Sequence, residues 1–197
     1  RAYKAGLDPS GIVSATYTYE VPTPGYYVST TGSDANNGFT RETAFATLAH
    51  AVGAAKDGQW IRVLAGTYEI TAAISVTEAL AIVGDTGDPA DVVVRNTAGT
   101  VTTTTGASSD TAHRVFEINH ADAVLSGIAV EGGKLGGGGD FKGGNILIDS
   151  NGGTVTNCII RNAIIIGIGP GGPKNGAGGA GIACLSANGL ITHCVVT

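Results

Sequence analysis

The stretches V-F-E-I-N-H-A-D-A-V-L-S-G-I-A-V (Val115–Val130), N-I-L-I-D-S-N-G-G-T-V-T-N-C-I-I (Asn145–Ile160) and G-I-A-C-L-S-A-N-G-L-I-T-H-C-V-V (Gly181–Val196) can be written beneath one another without a gap. Apolar residues coincide in the columns Phe116/Ile146/Ile182, Ile118/Ile148/Cys184, Leu125/Val155/Ile191, Ile128/Cys158/Cys194 and Val130/Ile160/Val196. Within each short run they alternate, the period-2 signature of a strand with one face inward. A self-similar unit of short strands is the sequence form of a solenoid, whose repeats bury their apolar faces only by stacking. One column differs: Gly127/Asn157/His193 lies between the second and third strand of each unit. Gly, Asn and His best tolerate a left-handed backbone, so this column reads as the bend at a coil corner. Successive units lie 30 and 36 residues apart. The excess over a bare coil goes into Gly-rich segments from Gly132 and from Gly167, which read as loops stacked at one corner.

Composition supports a turn-rich β protein. Gly is 32 of 197 residues without a collagen period, and only 14% are charged, about twice the average glycine and well below the average charge. The formal charge of −5 offers no basic stripe for nucleic acid. No apolar run approaches the roughly 18 residues of a membrane span. The chain opens on Arg1, contains no Met and stops at Val195-Val196-Thr197, inside what the repeat makes a third strand. The expectation is a piece of a longer parent, whose unfinished coil is covered by flanking domains or by copies stacked head to tail.

Three segments are expected: 1–25, the tail of a preceding β module or an exchanged strand plus linker; 26–58, a lead-in strand and capping helix; and 59–197, the coils. In the first, S-A-T-Y-T-Y-E-V (Ser14–Val21) alternates as a strand and P-T-P-G (Pro22–Gly25) breaks it. The run K-A-G-L-D-P-S-G-I-V-S-A-T-Y (Lys4–Tyr17) resembles the end of the β-sandwich module at the C-terminus of chitobiases and hexosaminidases. In the second, Thr47 can cap a helix in which Leu48, Ala51, Val52 and Ala55 recur on one face, with Gly58 placed to end it. The whole run Y-Y-V-S-T-T-G-S-D-A-N-N-G-F-T (Tyr26–Thr40), followed by the helix and G-T-Y (Gly66–Tyr68), resembles the opening segment of proteins of the pectate-lyase-like superfamily. That resemblance implies an all-β, right-handed parallel β-helix with a short N-terminal capping helix, in agreement with the repeat. It also implies a secreted or bacterial cell-surface protein, while leaving activity open, since one fold carries many functions.

Candidate chemistry is sparse. Asp34, Asn36 and Asn37 before Gly38 have the look of half a calcium loop. No acidic residue follows at the bidentate position, and the favoured reading is an Asx turn in which Asp34 and Asn36 bond their own backbone. Calcium is an option and no cofactor is required. Cys158 and Cys194 share one inward column and Cys184 lies in another, so all three should be buried thiols. A Cys158–Cys194 disulfide stays open, because stacked strands lie about 4.8 Å apart though their side chains run parallel. In lyases of the resembled fold, calcium-bound carboxylates and a Lys or Arg base act from one strand face. The outward positions here are Glu117, Leu147 and Ala183, then Asn119, Asp149 and Leu185. Glu117 and Asp149 are the acidic ones, out of column with each other and without a base on their strands. Asp140, Lys142 and Lys174 in the Gly-rich segments could overhang that face, but charged residues in such loops are usually solvated surface.

The reading that follows is a non-catalytic extracellular β-solenoid, a structural or adhesive part of a larger bacterial protein or fibre. The alternatives are the N-terminal part of a polysaccharide lyase or hydrolase whose site lies beyond Thr197, and a glycan-binding module, which is short of exposed aromatics on the repeat faces. Ice binding lacks threonine columns, since the run from Thr100 to Gly106 reads as a loop.

Overall fold

The computed structural model describes residues 24–99, 113–137, 142–167 and 179–197. After β1 (Tyr26–Val28) and the helix α1 (Leu48–Ala54), the chain winds through its sheets in a fixed order. The first turn is β2 (Trp60–Val63), β3 (Gly66–Ile70) and β4 (Ile74–Val76); the second is β5 (Ala81–Gly84), β6 (Val92–Asn96) and β7 (Phe116–Ile118). The third comprises β8 (Val124–Ser126), β9 (Ala129–Glu131), β10 (Lys134–Gly137) and β11 (Ile146–Ile148). The fourth comprises β12 (Gly153–Thr156), β13 (Ile159–Arg161), β14 (Ile164–Gly167) and β15 (Ile182–Cys184), and β16 (Gly189–Thr192) and β17 (Val195–Val196) follow. Stacking yields the sheets β1-β2-β5-β8-β12-β16, β3-β6-β9-β13-β17, β4-β7-β11-β15 and β10-β14. Every pairing between described strands is parallel. The protein is an all-β parallel β-helix, and the crossover rule makes it right-handed.

The register is the one the repeat implies. Ile118 pairs with Ile148 and Ile148 with Cys184. Leu125, Val155 and Ile191 stack in turn, as do Val130, Ile160 and Val196. The first two turns extend these columns downward, with Val76 beneath Ile118, Ile82 beneath Leu125, and Tyr68 and Val94 beneath Val130. Ile118, Ile128, Ile148 and Cys158 are buried in one continuous apolar core. At the corner, Gly127, Asn157 and His193 have φ of 68°, 49° and 52°, in the left-handed region. Gly84 extends this corner: a Cβ there would collide with the Gly127 carbonyl.

Helix α1 starts at Thr47, whose Oγ1 accepts the His50 amide at 3.2 Å. Leu48, Ala51 and Ala55 join the core beside β1, β2 and β4. The helix ends at Ala55, which is extended at ψ 156°, and not at Gly58. With Val52 and Gly53 in its short interior, intrinsic helix propensity is low, and Gly58 serves a later turn with φ 78°.

Three further expectations are corrected. The segment from Gly132 is not a loop throughout, because its Lys134–Gly137 pairs in parallel with Ile164–Gly167; of the segment from Gly167, residues 168–178 lie outside the described residues. Cys184, although in the inward column, is exposed, and Cys194 is half-buried. Their strands belong to the last described turns, where Leu190, Ile191, Val195 and Val196 are also exposed, so an inward direction brings no burial. Residues 1–23, including the chitobiase-like run, the threonine run from Thr100, Asp140 and Lys174 lie outside the described residues.

Candidate functional site

Across β4, β7, β11 and β15 the outer face presents Ser75, Glu117, Leu147 and Ala183 in one column. Glu117 accepts Arg114 Nη1 at 3.2 Å, while the same guanidinium donates to the Lys142 carbonyl at 3.2 Å and the Gly143 carbonyl at 3.4 Å. The carboxylate therefore orients an arginine that ties the approach to β7 onto the segment before β11. Leu147 and Ala183, expected to face solvent, are buried. Alternation assigns a side chain to one face of a strand but does not say what covers that face; here Gly143 packs against the Ile146–Leu147 backbone.

Asp149 lies one turn away and out of column with Glu117. Its Oδ1 accepts the Ser150 amide at 2.8 Å and its carbonyl accepts the Gly152 amide at 2.9 Å, closing a turn. The structure does not bring the two acids together as a pair.

Asp34, Asn36 and Asn37 do share one loop. Asp34 Oδ1 accepts the Ala46 and Thr47 amides at 2.9 Å, and Oδ2 accepts the Thr47 hydroxyl at 2.8 Å. Partial burial opposes its ionisation, and these donors outweigh that, holding the carboxyl below its ordinary 3.8. Asn36 donates to the Ala44 carbonyl. The Asx turn belongs to Asn37, which accepts the Phe39 amide at 3.0 Å and the Thr43 hydroxyl at 2.8 Å. The expectation for Asp34 is thus corrected: it reaches across the loop to fix the entrance of α1, because the Ala46 and Thr47 amides lack helical acceptors. Among the described residues, no three His, Cys, Asp or Glu side chains converge as a metal site.

The three cysteines are free thiols. Cys158 is buried, and burial pushes its thiol up to about 12. Its Sγ donates to the Thr156 carbonyl, and Cys194 Sγ repeats that bond one coil on, to Thr192, each at 3.2 Å.

Several clusters escaped the sequence reading. Glu131, with its side chain only 5% exposed, is held between Arg95 and Arg161 on either neighbouring strand. Burial opposes its ionisation, but hydrogen bonds from Arg161 and Arg95 prevail and keep the carboxyl below its ordinary value. The position directly follows the Val130/Ile160 column, and that adjacency was the available signal. Arg41 and Arg62 converge on Asp85, with Arg41 over the Tyr27 ring and Arg62 over that of Trp60. Asn145 is fully buried; its Nδ2 donates to the Arg161 and Val130 carbonyls at 2.8 and 3.2 Å, and its Oδ1 accepts the Gly133 amide at 2.7 Å. It fastens the corner between β9, β13 and β11. Finally, a cleft of about 370 Å³ opens between α1 and β3. Leu48 and Ile70 lie at its floor and Thr30, Thr67, Glu69 and Thr71 around it.

No protein-family model and no curated protein sequence matches the chain. Among solved structures, it is similar to the crystal structure of the pectin methylesterase from Aspergillus niger, at 16% identity and a TM-score of 0.47. The match covers 90% of this chain and 57% of the methylesterase, so the chain spans little more than half of that protein's length. No helix among the described residues is long and apolar enough to cross a membrane.

Proposed function

We propose that this chain is a non-catalytic β-solenoid, the structural or adhesive part of a larger secreted or cell-surface protein. The observation that carries the reading is the engagement of both outward acids: Glu117 orients Arg114, and the Asp149 carboxylate accepts the Ser150 amide. General acid–base chemistry needs groups that converge on one reacting atom, whereas these two serve separate backbone segments. The resemblance of residues 1 to about 20 to a chitobiase module supports a multidomain parent. Its partner, in this reading, is more solenoid, seated on the apolar edge that Leu190, Ile191, Val195 and Val196 expose.

The test is an assay on polygalacturonate and on methyl-esterified pectin, with and without calcium, following unsaturated product and released methanol. Neither should appear. Product formation abolished by Glu117→Ala or Asp149→Ala, in variants that keep the parent's circular dichroism, would overturn the proposal.

A further inference from the structure

The cleft between α1 and β3 brings apolar, hydroxyl and acidic side chains together. Its volume of about 370 Å³ falls within the roughly 300–1,000 Å³ of small-molecule sites. Four threonines and one carboxylate line it, and no basic side chain does; of the four, Thr47 is already engaged by Asp34 and the His50 amide. Among the described residues, the side chains of Thr30, Thr67, Thr71 and Glu69 enter no hydrogen bond or ion pair. For Glu69 this has a structural cause. Its cross-strand neighbour is Arg95, and Arg95 is committed to Glu131 on the other side.

We propose that this cleft binds a short stretch of an uncharged polysaccharide. A pyranose ring presents its C–H face to Ile70 and the exposed Ala49, Ala72 and Ala73, and a rim of hydroxyls to the threonines. Its hydroxyls donate to Glu69 in charge-assisted bonds, which are roughly twice as strong as neutral ones. The same carboxylate, unneutralised, repels uronates and sulfated sugars. A cationic ligand would find neither a second carboxylate nor an open aromatic face. The site lies on the lead-in segment and first turn. It stands independently of the non-catalytic reading, since it concerns binding at Glu69 and that reading concerns turnover at Glu117 and Asp149.

Amide chemical-shift titration of the full chain tests it, with cellotetraose, xylotetraose and laminaritetraose as neutral probes and tetragalacturonate and putrescine as charged controls. At least one neutral tetramer should shift the amides of residues 46–49 and 67–73 at millimolar concentration or below. Glu69→Ala should weaken that binding about tenfold, with Thr71→Val weakening it less, and Glu69→Gln should narrow the gap between the neutral tetramer and tetragalacturonate. Absence of shifts there with all three neutral probes, equal or tighter binding of either charged control, or binding unchanged in Glu69→Ala would overturn the proposal.

Discussion

Replacing Asn145 by alanine removes three hydrogen bonds from a place that water does not reach. The side chain is fully buried, and it alone joins the Gly133 amide to the carbonyls of Val130 and Arg161. A net contribution of roughly 0.5–1.5 kcal/mol per bond puts the loss at about 3 kcal/mol, more if the freed backbone groups stay dry. For a chain of this size, each kcal/mol moves the midpoint by roughly 2–4 °C, so Asn145→Ala should melt about 6–12 °C below the parent in calorimetry. Asn145→Asp sharpens the test. It keeps an acceptor for Gly133 but turns a carboxylate toward two carbonyls, so at pH 7 it should melt below Asn145→Ala. A pure packing role would rank them the other way, because aspartate preserves the volume. In a solenoid each turn contacts only its neighbours, so amide exchange should accelerate first in β11 and β13. An alanine variant within about 1 °C of the parent, or an aspartate variant above it, refutes the reasoning.

Two further outcomes are expected. Glu131 has its folded carboxyl held below 4.5, so its stabilisation is full above that value and is lost as pH falls through the lowered one; the melting gap between parent and Glu131→Gln should shrink on acidification, and a gap constant from pH 7 to pH 2.5 would refute the pairing. With a disulfide-exchange reagent, exposed Cys184 should react first, half-buried Cys194 more slowly, and Cys158, with its thiol near 12, only on unfolding; three equal rates would contradict the burial order.

The coil columns were legible because parallel stacking repeats one chemical requirement at one position, and alternation marks which side is inward. Ile118, Ile148 and Cys184 declare themselves that way. The β10–β14 pair was not legible: Lys134-Leu135-Gly136-Gly137 and Ile164-Ile165-Ile166-Gly167 share only their final glycine in register, and the glycine-rich sequence around β10 reads as loop. Asn145 was hidden for another reason, since its partners at Val130, Gly133 and Arg161 come from three segments, and no local pattern encodes such a junction. For Asp34 the acceptor was recognised but not its target, because an Asx turn and a bond to residues twelve and thirteen ahead begin from the same sequence.

Parallel stacking also explains why the charged column alternates. Each residue faces its counterpart on the next turn at about 4.8 Å, so a faithfully copied repeat sets like upon like. Apolar columns gain from that, but like charges at such a distance repel by a few kcal/mol at an effective dielectric near 20. On the outer face of β3, β6, β9 and β13 the column instead reads Glu69, Arg95, Glu131, Arg161. The arginine side chains remain 45% and 39% exposed, which keeps their net contribution near the 0–1 kcal/mol of about any surface pair. The larger effect is on order. A misfolded stack that added β9 directly onto β3 would keep the apolar column intact, Val130 upon Tyr68, yet set Glu131 against Glu69 with Arg95 displaced from between them. The apolar columns cannot distinguish one turn from the next; the alternating charges can, and they do so where the repeat is otherwise most alike.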